Sequence, residues 1–333
     1  MTMTREPGGP AELEPELTAP GTAAPSAVEG RSLGRIAWNR FKKDKAAMAG
    51  GVIVILLILL AVFAPELYGI EGANPYSINT NLVDPNYGIP IGSMGGMSGH
   101  HWLGVDLPAG RDLFARIALG ARVSLGIAGL STLVAIVIGV VLGMVSGYFG
   151  GWIDSVISRT MDVMLAFPLL LFAIAISGVM PDSAFGLTGN TLHFVLLVII
   201  IGFFSWPYIG RIIRGQTLMI KEREFVDAAR SLGAKPGRIL FKEILPGLVA
   251  PILIYSTLLI PTNILFEAAL SFLGVGIKDP LPSWGQMIDQ AINTFQVDPE
   301  FLIVPGVAIF LTVLSFNLLG DGLRDALDPK ASR

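Results

Sequence analysis

The side chains able to do chemistry are few and scattered. Three histidines occur, His100, His101 and His193, and cysteine is absent, which removes disulfides, thiolate metal sites and a cysteine nucleophile together. His100 and His101 with Asp106 would be the start of a metal site, but no third ligand stands at helical or loop spacing. A polar loop is the expectation there, and no metal site. No H-E-x-x-H, no G-x-S-x-G and no G-x-x-x-x-G-K-[ST] occurs. Metalloprotease, acyl-transfer and nucleotide-hydrolysing chemistry therefore have no local apparatus, and any energy source must be a partner. What remains is Glu267, in the apolar run that opens with Asn263 and closes with Gly274. A carboxylate in such a run is costly unless it faces water or a partner, so Glu267 and Asn263 are candidates for a path or a gate. Two roles stay open for Glu267, lining a path for a cationic group or hydrogen-bonding a neighbouring helix, and the second is favoured.

These residues must be positioned by helices in lipid. Of the 333 residues 52% are hydrophobic and only 15% charged, with a mean hydropathy of +0.65, too apolar for an ordinary soluble domain. The net charge of −3 says little about partners, because the charges are segregated along the chain. Nothing points to nucleic acid. The expected fold is all-α, a polytopic membrane protein with six transmembrane helices.

Residues 1–30 are rich in Pro, Ala, Glu, Thr and Gly and read as a disordered cytoplasmic tail. Residues 31–65 hold a basic leader, Arg31, Arg35, Arg40, Lys42, Lys43 and Lys45, and a first span over Ala46–Ala64. At about 1.5 Å per residue that run covers most of a hydrocarbon core of roughly 30 Å. The leader is too long for a cleaved signal peptide. Residues 66–115 form an outer loop rich in Gly, Pro and Asn, without Lys or Arg until Arg111.

Five further spans are expected within 116–324: Arg122–Gly147, Met161–Ser177, Leu192–Ile213, Pro246 to about Gly276, and Phe301–Leu319. Gly139, Gly143 and Gly147 are spaced by four and predict a seam for close helix contact. Pro168 and Pro207 mark expected bends. Arg159 and Asp162 read as a structural i, i+3 pair. The loop 278–300 could hold a short interfacial helix, and 325–333 is a second cytoplasmic tail. With both ends inside, 19 of the 23 Lys and Arg fall on the cytoplasmic side and Arg111, Arg116, Arg122 and Lys278 outside. That asymmetry supports six spans in this orientation.

Between the fourth and fifth spans, within 214–245, lies a charged island. Phe225, Ala228, Ala229 and Leu232 fall at i, i+3, i+4 and i+7, one apolar stripe of a short helix with Glu224, Asp227 and Arg230 near its edges. Gly233 ends it, since glycine tolerates the left-handed cap. The paired alanines leave the stripe nearly flat, suited to close approach by another surface.

The run Asp227-Ala228-Ala229, then Gly233, then Leu245-Pro246 resembles the coupling loop of ABC-transporter permeases. Asp227 stands where that family usually has Glu, and Glu243 where it often has Ile. The resemblance extends from Arg35 onward, through Gly110-Arg111-Asp112, Gly147 to Trp152, Ala166-Phe167-Pro168, Leu270 to Gly274, and Phe316 to Asp325. Together these look like the second permease subunit of the dipeptide, oligopeptide and nickel ABC importers. The resemblance implies the type I importer permease fold in a bacterial or archaeal cell membrane. It implies a homologous second permease, two ATP-binding subunits and an extracytoplasmic substrate-binding protein as partners. ATP and Mg would be used by those ATPase subunits, and this chain would bind no cofactor and be no enzyme. Glu224, Asp227, Ala228, Ala229, Arg230, Gly233 and Pro246 would couple to the ATPase. Di- or oligopeptide leads as cargo, with nickel or another small solute as the alternative. An ion-coupled secondary transporter is a further reading, which the lack of a clear internal repeat and the single buried carboxylate disfavour.

Overall fold

The computed structural model describes residues 33–179, 181 and 183–327. The tail expected over 1–30, Met180 and the carboxyl tail beyond 327 lie outside the described residues. A short helix α1 (Leu33–Phe41) leads into α2 (Lys45–Val62), whose first turn is capped by Asp44 accepting from the Ala46 and Ala47 N–H groups. After α3 (Ala64–Glu71) the chain runs through irregular loops to α4 (Leu113–Phe149), α5 (Gly151–Ala166) and α6 (Leu169–Val179). A two-stranded hairpin (Ser183–Ala184 with Leu187–Thr188) precedes α7 (Gly189–Ile220). Then follow α8 (Glu224–Ser231), α9 (Pro236–Arg238), a π-helical turn (Ile239–Ile244), α10 (Leu245–Phe272), α11 (Trp284–Ala291) and α12 (Pro299–Leu327).

Among the described residues, α2, α4, α7, the continuous run from Pro236 to Phe272, and α12 are each long and apolar enough to cross a membrane. The sixth span is a broken pair, α5 and α6, which meet at 79°. Sequence reading placed one bent helix over Met161–Ser177; the chain instead stops α5 at Ala166. The physical reason is local. Pro168 disfavours a helical conformation in the residue before it, and Phe167 is extended at φ −79°, ψ 127°. Pro207, by contrast, sits inside an unbroken α7.

The second span starts earlier than its apolar run suggested. Asp112 caps α4, accepting from the Ala115 N–H at 2.7 Å, so Arg116 becomes a helical residue. The loop 278–300 does hold a short helix, α11, which is folded onto the bundle end with Trp284 and Met287 fully buried.

The α4–α7 pair is the spine. A Cβ added at Gly139, Gly143 or Gly147 would lie 2.9, 2.6 and 2.8 Å from the carbonyl oxygens of Trp206, Gly210 and Arg214. Gly202 of α7 answers, with the Ser131 carbonyl 2.8 Å from the same added atom. Backbone therefore lies on backbone along three turns, the seam expected from the four-residue spacing.

The elements sort to two ends. Ala61, Leu113, Ile117, Trp284, Met287 and Phe301 cluster at one, joining the exit of α2 to the starts of α4 and α12. At the other, Phe41, Ala47 and Ala326 join α1 and the start of α2 to the end of α12. Gln216, Gly247 and Arg324 share a cleft there, which puts the end of α7, the start of α10 and hence α8 at the same end as α1.

Candidate functional site

The turn around α8 is held by its buried side and open on the other. Val226 is fully buried in a cluster with Ile239, Ile244 and Leu248, and this anchors α8 to the turn that follows. Phe225 and Leu232 are 50% and 89% exposed, and Ala228 is exposed beside them. The stripe read from sequence thus faces away from the bundle, while Val226, which lay outside that stripe, supplies the anchor. Asp227 and Arg230 pair at 3.0 Å on the open surface, and Glu224 is exposed one turn earlier. The helix closes with Ala234 N–H on Ala229 C=O and Gly233 N–H on Arg230 C=O, the reciprocal pair of a Schellman cap. That cap requires the left-handed backbone at Gly233, φ +81°. Ala229 is half-buried, and Pro246 lies just past the π-helical turn, in the first turn of α10.

A clamp that sequence reading missed sits above this turn. Arg214 of α7 donates from Nε and Nη2 to Asp154 of α5 at 2.5 and 2.6 Å, and the Ser146 hydroxyl of α4 donates to the same carboxylate. Two parallel bonds fix geometry better than a single ion contact does. The partners are 60 residues apart, so no local spacing announced them. Nearby, Asp162 takes Arg211 at 2.5 Å, while Arg159 stands off at 3.9 Å. The i, i+3 pair expected from sequence is the weaker of the two.

Inside the bundle, Asn263 is fully buried and donates from Nδ2 to Thr132 Oγ1 at 2.8 Å, while its Oδ1 accepts from Ser205 Oγ at 3.1 Å. One amide thereby joins α4, α7 and α10. Glu267, one turn later on the same face, is also fully buried. Its Oε1 accepts from Ser271 Oγ at 2.8 Å, Oε2 has no hydrogen-bond partner, and the Ser124 and Ser283 hydroxyls lie near the carboxylate. Those two hydroxyls also accept from the Trp284 and Gln286 N–H groups. Glu267 therefore sits where α4, α10 and the start of α11 converge.

At the end away from α1 and α8 a second ion network ties distant segments. Arg111 donates to Asp106 at 2.8 Å and to Asp279 at 2.6 Å, and the fully buried Arg116 lies 3.2 Å from Asp106 and donates to Gln290 at 3.1 Å. His101 Nδ1 lies 2.7 Å from Asp112. Glu71 accepts from the Trp102 N–H at 2.6 Å, and burial holds its carboxyl above the usual range. Asp298, 1% exposed before the first turn of α12, is pushed by burial up to about 6.

These features define a multi-span membrane protein whose polar residues lock helices together and whose exposed apolar turn lies at one end. Residues 139–333 match the family described as "Binding-protein-dependent transport system inner membrane component", and residues 32–86 match the "N-terminal TM domain of oligopeptide transport permease C". The chain belongs to the first of these families. It is an all-α, multi-span ABC importer permease, and ATPase activity resides in separate subunits. Among its relatives, the "Glutathione transport system permease protein GsiD" of Pectobacterium atrosepticum is 41% identical over 88% of this chain and 90% of its own length. Proteins of the same name from Shigella dysenteriae and Escherichia coli are each 42% identical over 88% of this chain and 89% of theirs. The "MetNI methionine ABC transporter" in inward-facing conformations is similar at a TM-score of 0.48 and 20% identity, covering 63% of this chain and 94% of the other.

Proposed function

We propose that this chain forms one half of a heterodimeric pathway that imports short peptides, tripeptides of the glutathione kind among them. A homologous second permease completes the pore, and an extracytoplasmic binding protein delivers the cargo. Two ATPase subunits serve the pair of permeases, one of them docking on α8, and ATP and Mg act in those subunits while this chain holds no cofactor of its own. Both ends of the chain then lie in the cytoplasm. The names of the relatives support a peptide-like cargo.

The observation that carries the docking role is the outward face of α8: Phe225, Ala228 and Leu232 open, with Val226 anchored beneath. Movement of an ATPase against that face would pass through Val226 to the π-helical turn and α10, and through α7 to the Arg214–Asp154 clamp. Glu224, Asp227, Arg230 and Pro246 frame the contact, and Glu267 with Asn263 hold the bundle's gate rather than touching cargo.

The test is Gly233→Val in the assembled transporter. Nothing lies within 4 Å of the position of its Cβ, so the cost is in the backbone, about 1–2 kcal/mol for an L-residue held left-handed. ATP hydrolysis should continue while uptake of labelled glutathione or tripeptide falls, and Gly233→Asn, which tolerates that conformation, should retain more. Normal uptake by Gly233→Val together with Leu232→Glu would overturn the docking role. Uptake of a divalent metal but of no peptide would overturn the cargo.

A further inference from the structure

A groove of about 470 Å³ runs along the outside of the bundle, at the end that carries α1 and α8. Its size is in the range of ligand pockets, roughly 300–1,000 Å³. Ala37, Trp38 and Phe41 of α1 form one wall, Val52 and Ile55 of α2 the floor, and Leu323 of α12 the far side. The lining is apolar throughout, so no polar ligand group is recognised within it.

The mouth has the opposite character. Gly34, Ala37, Trp38 and Phe41 fall at i, i+3, i+4 and i+7 and give α1 one apolar side toward the groove, while Arg35, Lys42 and Lys43 are exposed on the helix or just past it, with Lys45 following. None of Arg35, Lys42, Lys43 and Lys45 forms an ion pair with a carboxylate among the described residues. Lys42 Nζ instead stands 5.1 Å above the Trp38 ring, at the groove's rim. Asp44, the acid in this stretch, is engaged in capping α2. A short amphipathic helix at the start of a membrane span, cationic outside and apolar beneath, has the chemistry of a helix lying in the headgroup layer.

We propose that this groove binds an anionic phospholipid, with an acyl chain along Trp38, Val52 and Ile55 and the phosphate held by Lys42, Lys43 and Arg35. The occupant follows from charge complementarity, since a membrane presents acyl chains and phosphates together at this depth. An apolar helix of a partner subunit would leave the cations unanswered. The site would seat α1 against α12 at the membrane surface, independently of which solute is carried.

Trp38 is a built-in reporter. The assembled transporter is reconstituted in nanodiscs containing brominated phosphatidylglycerol or, separately, brominated phosphatidylcholine at equal mole fraction, and Trp38 emission is taken as the difference from Trp38→Phe. Phosphatidylglycerol should quench Trp38 with an apparent association constant on the order of tenfold or more above phosphatidylcholine, each cation near the surface adding to the preference. Arg35→Gln/Lys42→Gln/Lys43→Gln should remove the preference, and Val52→Trp, read by native mass spectrometry, should lower the lipid retained. Equal quenching by both lipids would overturn the proposal. So would a Trp38 shielded from both, which would place a protein subunit in the groove.

Discussion

The α4–α7 seam permits a comparison in which the usual confounder cancels. In Gly143→Ala the new methyl would sit 2.6 Å from the Gly210 carbonyl oxygen and 2.9 Å from Ile213 Cβ, where ordinary contact begins at 3.4 Å. The two backbones must part by the difference, roughly 0.8 Å, and neither contact is the free end of a flexible side chain. Overpacking of this kind costs about 1–3 kcal/mol. Alanine also favours helix over glycine by about 1 kcal/mol, which alone would stabilise the variant. Gly129→Ala on the same helix carries that same gain with nothing within 4 Å of its added methyl. The difference between the two variants therefore isolates the seam. Reversible SDS titration in mixed micelles should place Gly143→Ala below Gly129→Ala by about 1–3 kcal/mol. Equal stabilities would refute the claim that backbone contact along three turns holds these helices.

Asp298 predicts a pH dependence with a definite sign. Its carboxyl titrates near 6 when folded against 3.8 for an aspartate free in water, so between about pH 4 and 6 the native chain keeps a proton that the unfolded chain has lost. Stability should fall as pH rises through that window, by at most about 3 kcal/mol, and level off above it. In Asp298→Asn the slope should shrink by that amount, the buried Glu71 carboxyl keeping its own share, and an unchanged slope in thermal unfolding would show that another group is responsible. Removing the shared anion of the Asp106 network, as in Asp106→Asn, leaves the fully buried Arg116 only the more distant Asp279 at 3.9 Å and should cost up to about 3–5 kcal/mol, read as lost folded yield and stability. If Asp106→Asn matches wild type, the network is not a structural tie. At Glu267 the amide variant keeps an acceptor for Ser271, so Glu267→Gln should transport better than Glu267→Ala; the reverse order would mean that the carboxylate's charge, not its bond, is needed.

Much of this chain was legible before folding because lipid imposes a simple rule: every backbone group must be satisfied within a helix, so apolar length alone marks a span. The seam was equally plain, since glycines every fourth residue occupy one ridge whatever they meet. The outward stripe of α8 followed from the same periodicity, with Gly233 closing it. What the sequence could not reveal is which charges meet. Arg214 finds Asp154 and Arg111 finds Asp279 across 60 and 168 residues, distances over which spacing carries no signal. Val226 escaped notice because a single buried residue on a short helix breaks no pattern, and Glu267 could be located but not given neighbours. Helix existence is a local property of the chain in lipid, whereas partners for polar groups are settled only when the helices pack. That is why the spans and the exposed stripe of α8 could be read from the residues, and why the clamps, the anchor and the apolar groove beside α1 emerged only from the tertiary structure.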